Sequence, residues 1–306
     1  MQLAPIALFA YKRPEHTLKT LTTLSECTLA QESILYIFCD GPKREEDREN
    51  VVKVREIAAS RKWCGEVRIV PRANNMGLAN SIIDGVSRLC TEFGRVIVLE
   101  DDLLVAKGFL DYMNRALDLY SDYLQVMQIS GHLFPFGPVC EDYDAFFLPL
   151  STTLGWATWR RAWEHFDVKA TGYEKLRTNK CLRREFDLDN SYPYSRMMFD
   201  QMSGAIDSWG IRWWWTFFKE NGLCLYPRFS LIEHIGFDNT ATHATDKVGI
   251  YDGDEWTNER VVRRLPGSIE ASNDNYDLLK SYFRKFNNKR NIYKYILQRI
   301  KVWVIK

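Results

Sequence analysis

The stretch Val96-Ile97-Val98-Leu99-Glu100-Asp101-Asp102, continuing as Leu103-Leu104-Val105-Ala106-Lys107-Gly108-Phe109, sets an apolar run directly against three consecutive acids. Residues 96–99 read as a buried strand, so the acids fall at its carboxyl end. Three like charges at one point repel, and each loses solvation if the mouth of a sheet is partly covered. A bound divalent cation offsets both costs. Carboxylate oxygens select hard ions, so Mg²⁺ or Mn²⁺ suits the cluster better than zinc. Such an ion bridges two phosphate oxygens of a nucleotide diphosphate and stabilises charge on the leaving group. The plainer alternative is a solvated turn whose acids cap a helix beginning near Gly108.

Upstream, apolar runs alternate with helical periods. Residues 5–11 form a short apolar run, and residues 14–26 follow with Leu18, Leu21 and Leu24 at helical spacing. Pro14 suits the first turn, where its missing N–H costs nothing. Residues 34–39 are a second apolar run, ending at the turn signal Asp40-Gly41-Pro42. Residues 45–61 predict a charged amphipathic helix, 66–70 a third strand, 74–77 a loop and 78–93 a helix that leads back into 96–99. Strands alternating with helices of this length imply right-handed crossovers. The expected fold class is therefore α/β, with a Rossmann-like, mainly parallel sheet flanked by helices. Ligands of such sheets bind beyond the carboxyl ends of the strands. Tyr11-Lys12-Arg13, Asp40 and Glu100-Asp101-Asp102 all sit there, and they are expected to converge.

Past residue 125 the pattern is mixed. Residues 125–130, 145–150 and 223–226 read as strands, and 156–166, 194–206 and 209–221 as helices. Residues 236–254 are polar and lack periodicity, which reads as a long loop. No repeat or low-complexity linker divides the chain, so one domain in two halves is expected.

At this point the residues resemble a known family. V-I-V-L-E-D-D-L-L-V-A-K-G-F is similar to the Glu-Asp-Asp variant of the DxD motif of GT-A glycosyltransferases. It is nearest the inverting N-acetylglucosaminyltransferase I type, where strand, acids and following Phe have the same order. A-L-F-A-Y-K-R-P resembles that family's first strand ending in an Arg, and I-F-C-D-G-P its second strand ending in Asp. The resemblance covers roughly residues 4–115 well and the second half loosely. It implies a GT-A fold with a donor-binding half over residues 1–125 and a mixed acceptor-binding and catalytic half over 126–277, while residues 278–306 read separately as a helical basic tail. It also implies that Asp102 ligates Mn²⁺ or Mg²⁺, Asp101 contacts ribose and Glu100 the donor sugar. Arg13 and Asp40 are implied at the uracil and neighbouring donor groups of a UDP-sugar. The chemistry agrees, since an Asp can accept the uracil N3–H and an Arg can donate to carbonyl or phosphate oxygens. The simpler alternatives are Arg13 as a surface ion-pair partner and Asp40 as a turn residue. The N–H groups of the 74–77 loop, which opens a helix, can also face a donor.

An inverting transfer needs a base to take the proton of the acceptor hydroxyl. Asp207, in Ala205-Ile206-Asp207-Ser208-Trp209, resembles the family's W-D-D-W segment, although a gap-free match places Ser208 at the second acid. Asp207 as the N-cap of the following helix is the competing reading, and Asp200 is the reserve candidate. Trp156, in a Gly-Trp element, and Trp209 are expected to contact the acceptor. Thr242-His243, with His234 upstream, resembles a Ser-His pair on a loop that closes over the donor diphosphate and excludes water.

The chain's 41 Lys and Arg against 40 Asp and Glu give a formal charge of +1. Nine of the bases and none of the acids fall in residues 278–306, leaving 32 bases against 40 acids before them. Interleaved with Tyr282, Phe283, Phe286, Tyr293, Tyr295, Ile296, Ile300 and Trp303, the tail predicts a helix with a basic and an apolar face. That pattern fits an anionic membrane surface, and equally a charged helix packed on the domain. No nucleic-acid recognition motif accompanies it. Seven scattered cysteines without a C-x-x-C pair fit free core thiols, and no run approaches the ~18 apolar residues of a membrane span. A cytoplasmic protein, peripheral on the inner membrane face through its tail, is expected. The expected partners are a nucleotide-sugar donor and a glycan or lipid-linked glycan acceptor. Two other classes compete. A nucleotidyltransferase should carry a Gly-rich loop after strand one, which Tyr11-Lys12-Arg13-Pro14 lacks, and a non-catalytic sugar-binding protein could keep the same sheet. A dehydrogenase is disfavoured by the absence of G-x-G-x-x-G.

Overall fold

The computed structural model describes residues 2–140, 142–236 and 256–287. The strands are β1 (Ile6–Ala10), β2 (Ile34–Cys39), β3 (Glu66–Pro71), β4 (Arg95–Glu100), β5 (Leu103–Val105), β6 (Val126–Ser130), β7 (Ala145–Leu148), β8 (Trp156–Trp159), β9 (Leu223–Pro227) and β10 (Ile232–His234). The helices are α1 (Pro14–Ser25), α2 (Arg48–Ala59), α3 (Leu78–Phe93), α4 (Phe109–Leu119), α5 (Arg160–Trp163), α6 (Lys175–Thr178), α7 (Lys180–Phe186), α8 (Tyr194–Met202), α9 (Trp209–Lys219) and α10 (273–287).

Eight strands form one sheet in the order β3-β2-β1-β4-β8-β6-β9-β7. β3, β2, β1 and β4 pair in parallel, as their helical crossovers require. β8 lies antiparallel between β4 and β6, β9 is parallel to β6, and β7 closes the far edge antiparallel to β9. The fold is α/β with a mainly parallel sheet, as the alternating pattern predicts. β5 and β10 form a separate two-stranded antiparallel ribbon.

Alternate residues of each central strand serve two cores, which is why these strands read as continuous apolar runs. Ile6, Leu8 and Ala10 face a layer containing Leu21, Leu24, Val54, Phe109 and Met113. Ala7 and Phe9 face a layer containing Ile82, Val86, Trp213 and Phe217. Helices thus cover both faces, with α1, α2 and α4 on one side and α3 and α9 on the other.

One expectation is corrected. Residues 156–166 do not form one helix, because residues 156–159 are β8, wedged into the sheet, and only the short α5 follows. Trp156, Ala157 and Thr158 are fully buried there, an environment that favours aromatic and β-branched residues in extended backbone. Of the two readings of the tail, its first part follows the packed helix. In α10, Leu279 and Phe283 are fully buried, and Phe283 packs edge-on against Phe134 at 5.0 Å. Lys280 Nζ pairs with Asp277 and Asp189 at 2.7 and 3.1 Å. Residues 278–287 therefore belong to the body, and the rest of the basic tail lies outside the described residues. Among the described residues no helix is long and apolar enough to cross a membrane. All seven cysteines are free thiols, five of them buried.

Candidate active site

Beyond the carboxyl ends of β3, β2, β1 and β4 lies a pocket of about 380 Å³. β1 delivers Tyr11, Lys12 and Arg13 to it, β2 delivers Asp40 and Lys43, and the β3–α3 loop delivers Asn75 and Gly77. Glu100, Asp101 and Asp102 enter from β4, Asp207 from the segment before α9, and His234 and Gly236 from the end of β10. A broader depression of about 1020 Å³ follows the outer face of α3 past Asn80, Asp84 and Arg88, but it is open surface away from the three acids.

The triplet is held rigidly. Arg13 Nη1 donates to Asp102 Oδ2 at 2.7 Å, and His234 Nε2 lies 3.4 Å from the same oxygen. The Tyr11 backbone N–H donates to Asp101 Oδ2 at 3.1 Å, and Thr20 Oγ1 donates to the Asp101 carbonyl at 2.9 Å. The Ile235 N–H donates to the Asp102 carbonyl at 2.9 Å, which docks the end of β10 onto the acids. Gly236 permits this approach, since a Cβ there would run into the Asp102 carboxylate.

Burial, then repulsion from Asp102 and Asp101, holds the Glu100 carboxyl well above the usual carboxylate range. Asp101 is pushed up to about 7 by burial and by Asp102. Burial acts on Asp102 in the same direction, but His234 and Arg13 outweigh it and hold its carboxyl below the ordinary value.

A metal ion would have to fit this set. Among the described residues no three His, Cys, Asp or Glu side chains form a ready-made cage. The three acids nevertheless stand close enough for Asp102 to raise both Glu100 and Asp101, after burial as the larger cause, and a cation would relieve that repulsion. The residues therefore fit a hard cation held by one carboxylate and otherwise by bound substrate and water, not one enclosed by protein.

Asp40 is bonded through both carboxylate oxygens. Its Oδ1 accepts the Gly41 and Met76 N–H groups at 2.9 and 2.8 Å, and its Oδ2 accepts the Asn75 Nδ2 and the Gly77 N–H at 3.0 and 3.1 Å. Four donors occupy a carboxylate that is only 7% exposed, so Asp40 organises the β3–α3 loop at the pocket edge. The loop ends at Gly77, whose φ of 76° suits a glycine and which N-caps α3.

Asp207 stands 60% exposed at the pocket wall, 3.6 Å from Arg212 Nη2. A Cβ placed on Gly77 would lie 3.9 Å from Asp207 Oδ2, so the carboxylate sits beside the positive end of α3. The N-cap of α9 is Ser208, whose Oγ accepts the Ile211 N–H, and Asp207 is thereby released from the capping role. Asp200 pairs with Arg196 at 3.0 Å away from the pocket.

The two tryptophans are also corrected. Trp156 is fully buried and Trp209 is 4% exposed, and their rings stack at 5.1 Å inside a cluster with Trp163 and Trp213. They are core, with no face left for an acceptor. Thr242 and His243 lie outside the described residues.

Sequence reasoning missed Asp47. It accepts from Tyr11 Oη at 2.8 Å and Lys12 Nζ at 2.7 Å, and only long-range folding brings it beneath them. Its single cue was an acid opening α2, which ordinarily reads as a helix-start residue.

No family model matches the sequence, and no curated protein matches it. Among solved structures, mouse xyloside xylosyltransferase 1 is 12% identical, covering 70% of this chain and 80% of that one, with a TM-score of 0.34. The galactosyltransferase LgtC, solved with donor and acceptor sugar analogs, is 13% identical over 57% and 65%, with a TM-score of 0.33. A cytidylyltransferase from Leptospira borgpetersenii is 14% identical over 55% and 64%, with a TM-score of 0.34. The chain thus spans just under two thirds of the last two proteins. Likeness at these scores carries no weight for activity.

Proposed function

We propose that the protein is a glycosyltransferase of the GT-A type that moves a sugar from a nucleotide-sugar, a UDP-sugar by preference, to a glycan or glycolipid hydroxyl. One observation carries this reading: Arg13, the three acids after β4 and the exposed Asp207 share one pocket at the carboxyl edge of a parallel sheet, although they are up to 194 residues apart (13 to 207).

In this reading Asp102 would hold a Mn²⁺ or Mg²⁺ ion, which would supply Lewis-acid stabilisation of the diphosphate leaving group. Arg13 adds a fixed positive charge beside the same phosphates. Glu100 and Asp101 accept hydrogen bonds from sugar and ribose hydroxyls. Asp207 is the base: exposed and uncommitted to a cap, it takes the acceptor hydroxyl proton as that oxygen attacks the anomeric carbon from the opposite face. No covalent intermediate is required, and the sugar configuration inverts.

The test is calorimetric titration of UDP with and without Mn²⁺, followed by a nucleotide-sugar panel. Metal-dependent UDP binding that disappears in Asp102→Ala is expected. UDP binding that ignores both the metal and the substitution would reject the donor site as drawn.

A further inference from the structure

The sheet order gives the pocket two chemically different ends. From β4 through β1 to β2 and β3, the carboxylates of Glu100, Asp101 and Asp102 stand at one end, and Lys43, Asn75 and the loop-bonded Asp40 at the other. Tyr11 lies between and is tied in both directions. Its backbone N–H donates to Asp101 Oδ2 at 3.1 Å, while its hydroxyl donates to Asp47 Oδ2 at 2.8 Å and accepts the Lys43 N–H at 3.0 Å. Tyr11 lines the pocket, and its hydroxyl is engaged as both donor and acceptor. Asp47 itself does not line the pocket, yet it is 5% exposed. Its carboxylate also takes Lys12 Nζ at 2.7 Å and the Arg44 N–H at 3.2 Å, and the Lys12 ammonium stands 5.3 Å from the centre of the Tyr11 ring. A carboxylate withdrawn from water and bonded to an ammonium, a phenol and a backbone amide clamps the β1–α1 turn to the loop before α2.

We propose that Asp47 is a positioning residue that holds the Tyr11 ring and the Lys12 ammonium as the wall for the planar nucleoside end of the ligand. This rests on the nucleotide-sugar reading above and places the phosphates and sugar at the acid end. An aromatic ring fixed at its hydroxyl offers a base a surface with little rotational freedom to lose. Stacking of this kind tolerates different bases, so the clamp sets affinity for the nucleoside more than the choice among nucleosides.

Wild type, Asp47→Asn, Tyr11→Phe and the double variant are titrated with UDP, uridine and inorganic pyrophosphate, each with Mn²⁺. Thermal unfolding is recorded in parallel. Each single substitution is expected to weaken UDP and uridine about tenfold, the size of one lost charge-assisted hydrogen bond, and to leave pyrophosphate unchanged. The double variant should lose no more than the worse single one, because hydroxyl and carboxylate act through one bond. Tyr11→Phe removes a single oxygen and keeps the ring, so it remains informative if Asp47→Asn fails to fold. Uridine affinity unchanged in both single variants overturns the proposal. Equal losses for pyrophosphate also overturn it, since the clamp would then only support the fold. A wild type that binds no UDP removes the underlying reading instead.

Discussion

Arg13 Nη1 sits 2.7 Å from Asp102 Oδ2, with both side chains 13% exposed, so the cation proposed to meet the phosphates and the acid proposed to hold the metal are paired with each other. Asp102→Ala takes this carboxylate away from a largely covered guanidinium beside Glu100 and Asp101. Loss of one partner of such a pair costs about 3 kcal/mol. Chemical denaturation should show that loss, and Arg13→Ala combined with Asp102→Ala should cost clearly less than the two single changes together. Strict additivity would mean that the pair is not energetically linked.

The acids make stability depend on pH. Asp101, raised to about 7 from 3.8, binds its proton more tightly folded than unfolded. Its contribution is therefore most favourable at low pH and is lost as pH rises through about 7. Glu100 acts in the same direction. Asp102, held low, has the opposite sign, but its contribution is lost only as pH falls below the ordinary carboxylate range. The ligand-free protein should accordingly melt at a lower temperature at about pH 8 than at about pH 5.5, and UDP with Mn²⁺ should flatten the slope. Melting temperatures that rise over this interval without ligand would contradict the burial of the triplet.

Asp207 and Ser208 are neighbours with separable tasks. Asp207→Asn should lower turnover by about 10²–10⁴-fold while UDP affinity stays near wild type, because a general base acts only on the chemical step. Ser208→Ala removes the cap of α9 and should cost about 1 kcal/mol of stability while retaining turnover. The reverse pattern in a steady-state assay would move the catalytic role to Ser208.

Asp40→Ala leaves the Met76 and Gly77 N–H groups without their acceptor. A cost of about 2 kcal/mol is expected, with faster amide exchange at those two residues. A selective loss of UDP affinity with stability and exchange unchanged would give Asp40 the role of base reader.

The apolar runs of β1, β2 and β4, with the helices between them, determined the α/β class, because a strand buried on both faces must be apolar throughout; β3, at the sheet edge, alternates exposed and half-buried residues instead. The acids after Leu99 were legible for a related reason: charge at the end of such a strand has few places to go other than the open edge of the sheet. Tertiary structure decided the rest. Asp40 and Asp47 look alike in sequence as acids at turns, yet one is saturated by a loop 35 residues away and the other grips Tyr11 and Lys12. Trp156 looked like a pocket aromatic and became core, because β8 is inserted between β4 and β6 and both its faces are covered. Periodicity reports which residues avoid water within one element. Which polar group satisfies which depends on distances between elements, and those exist only once the chain has folded.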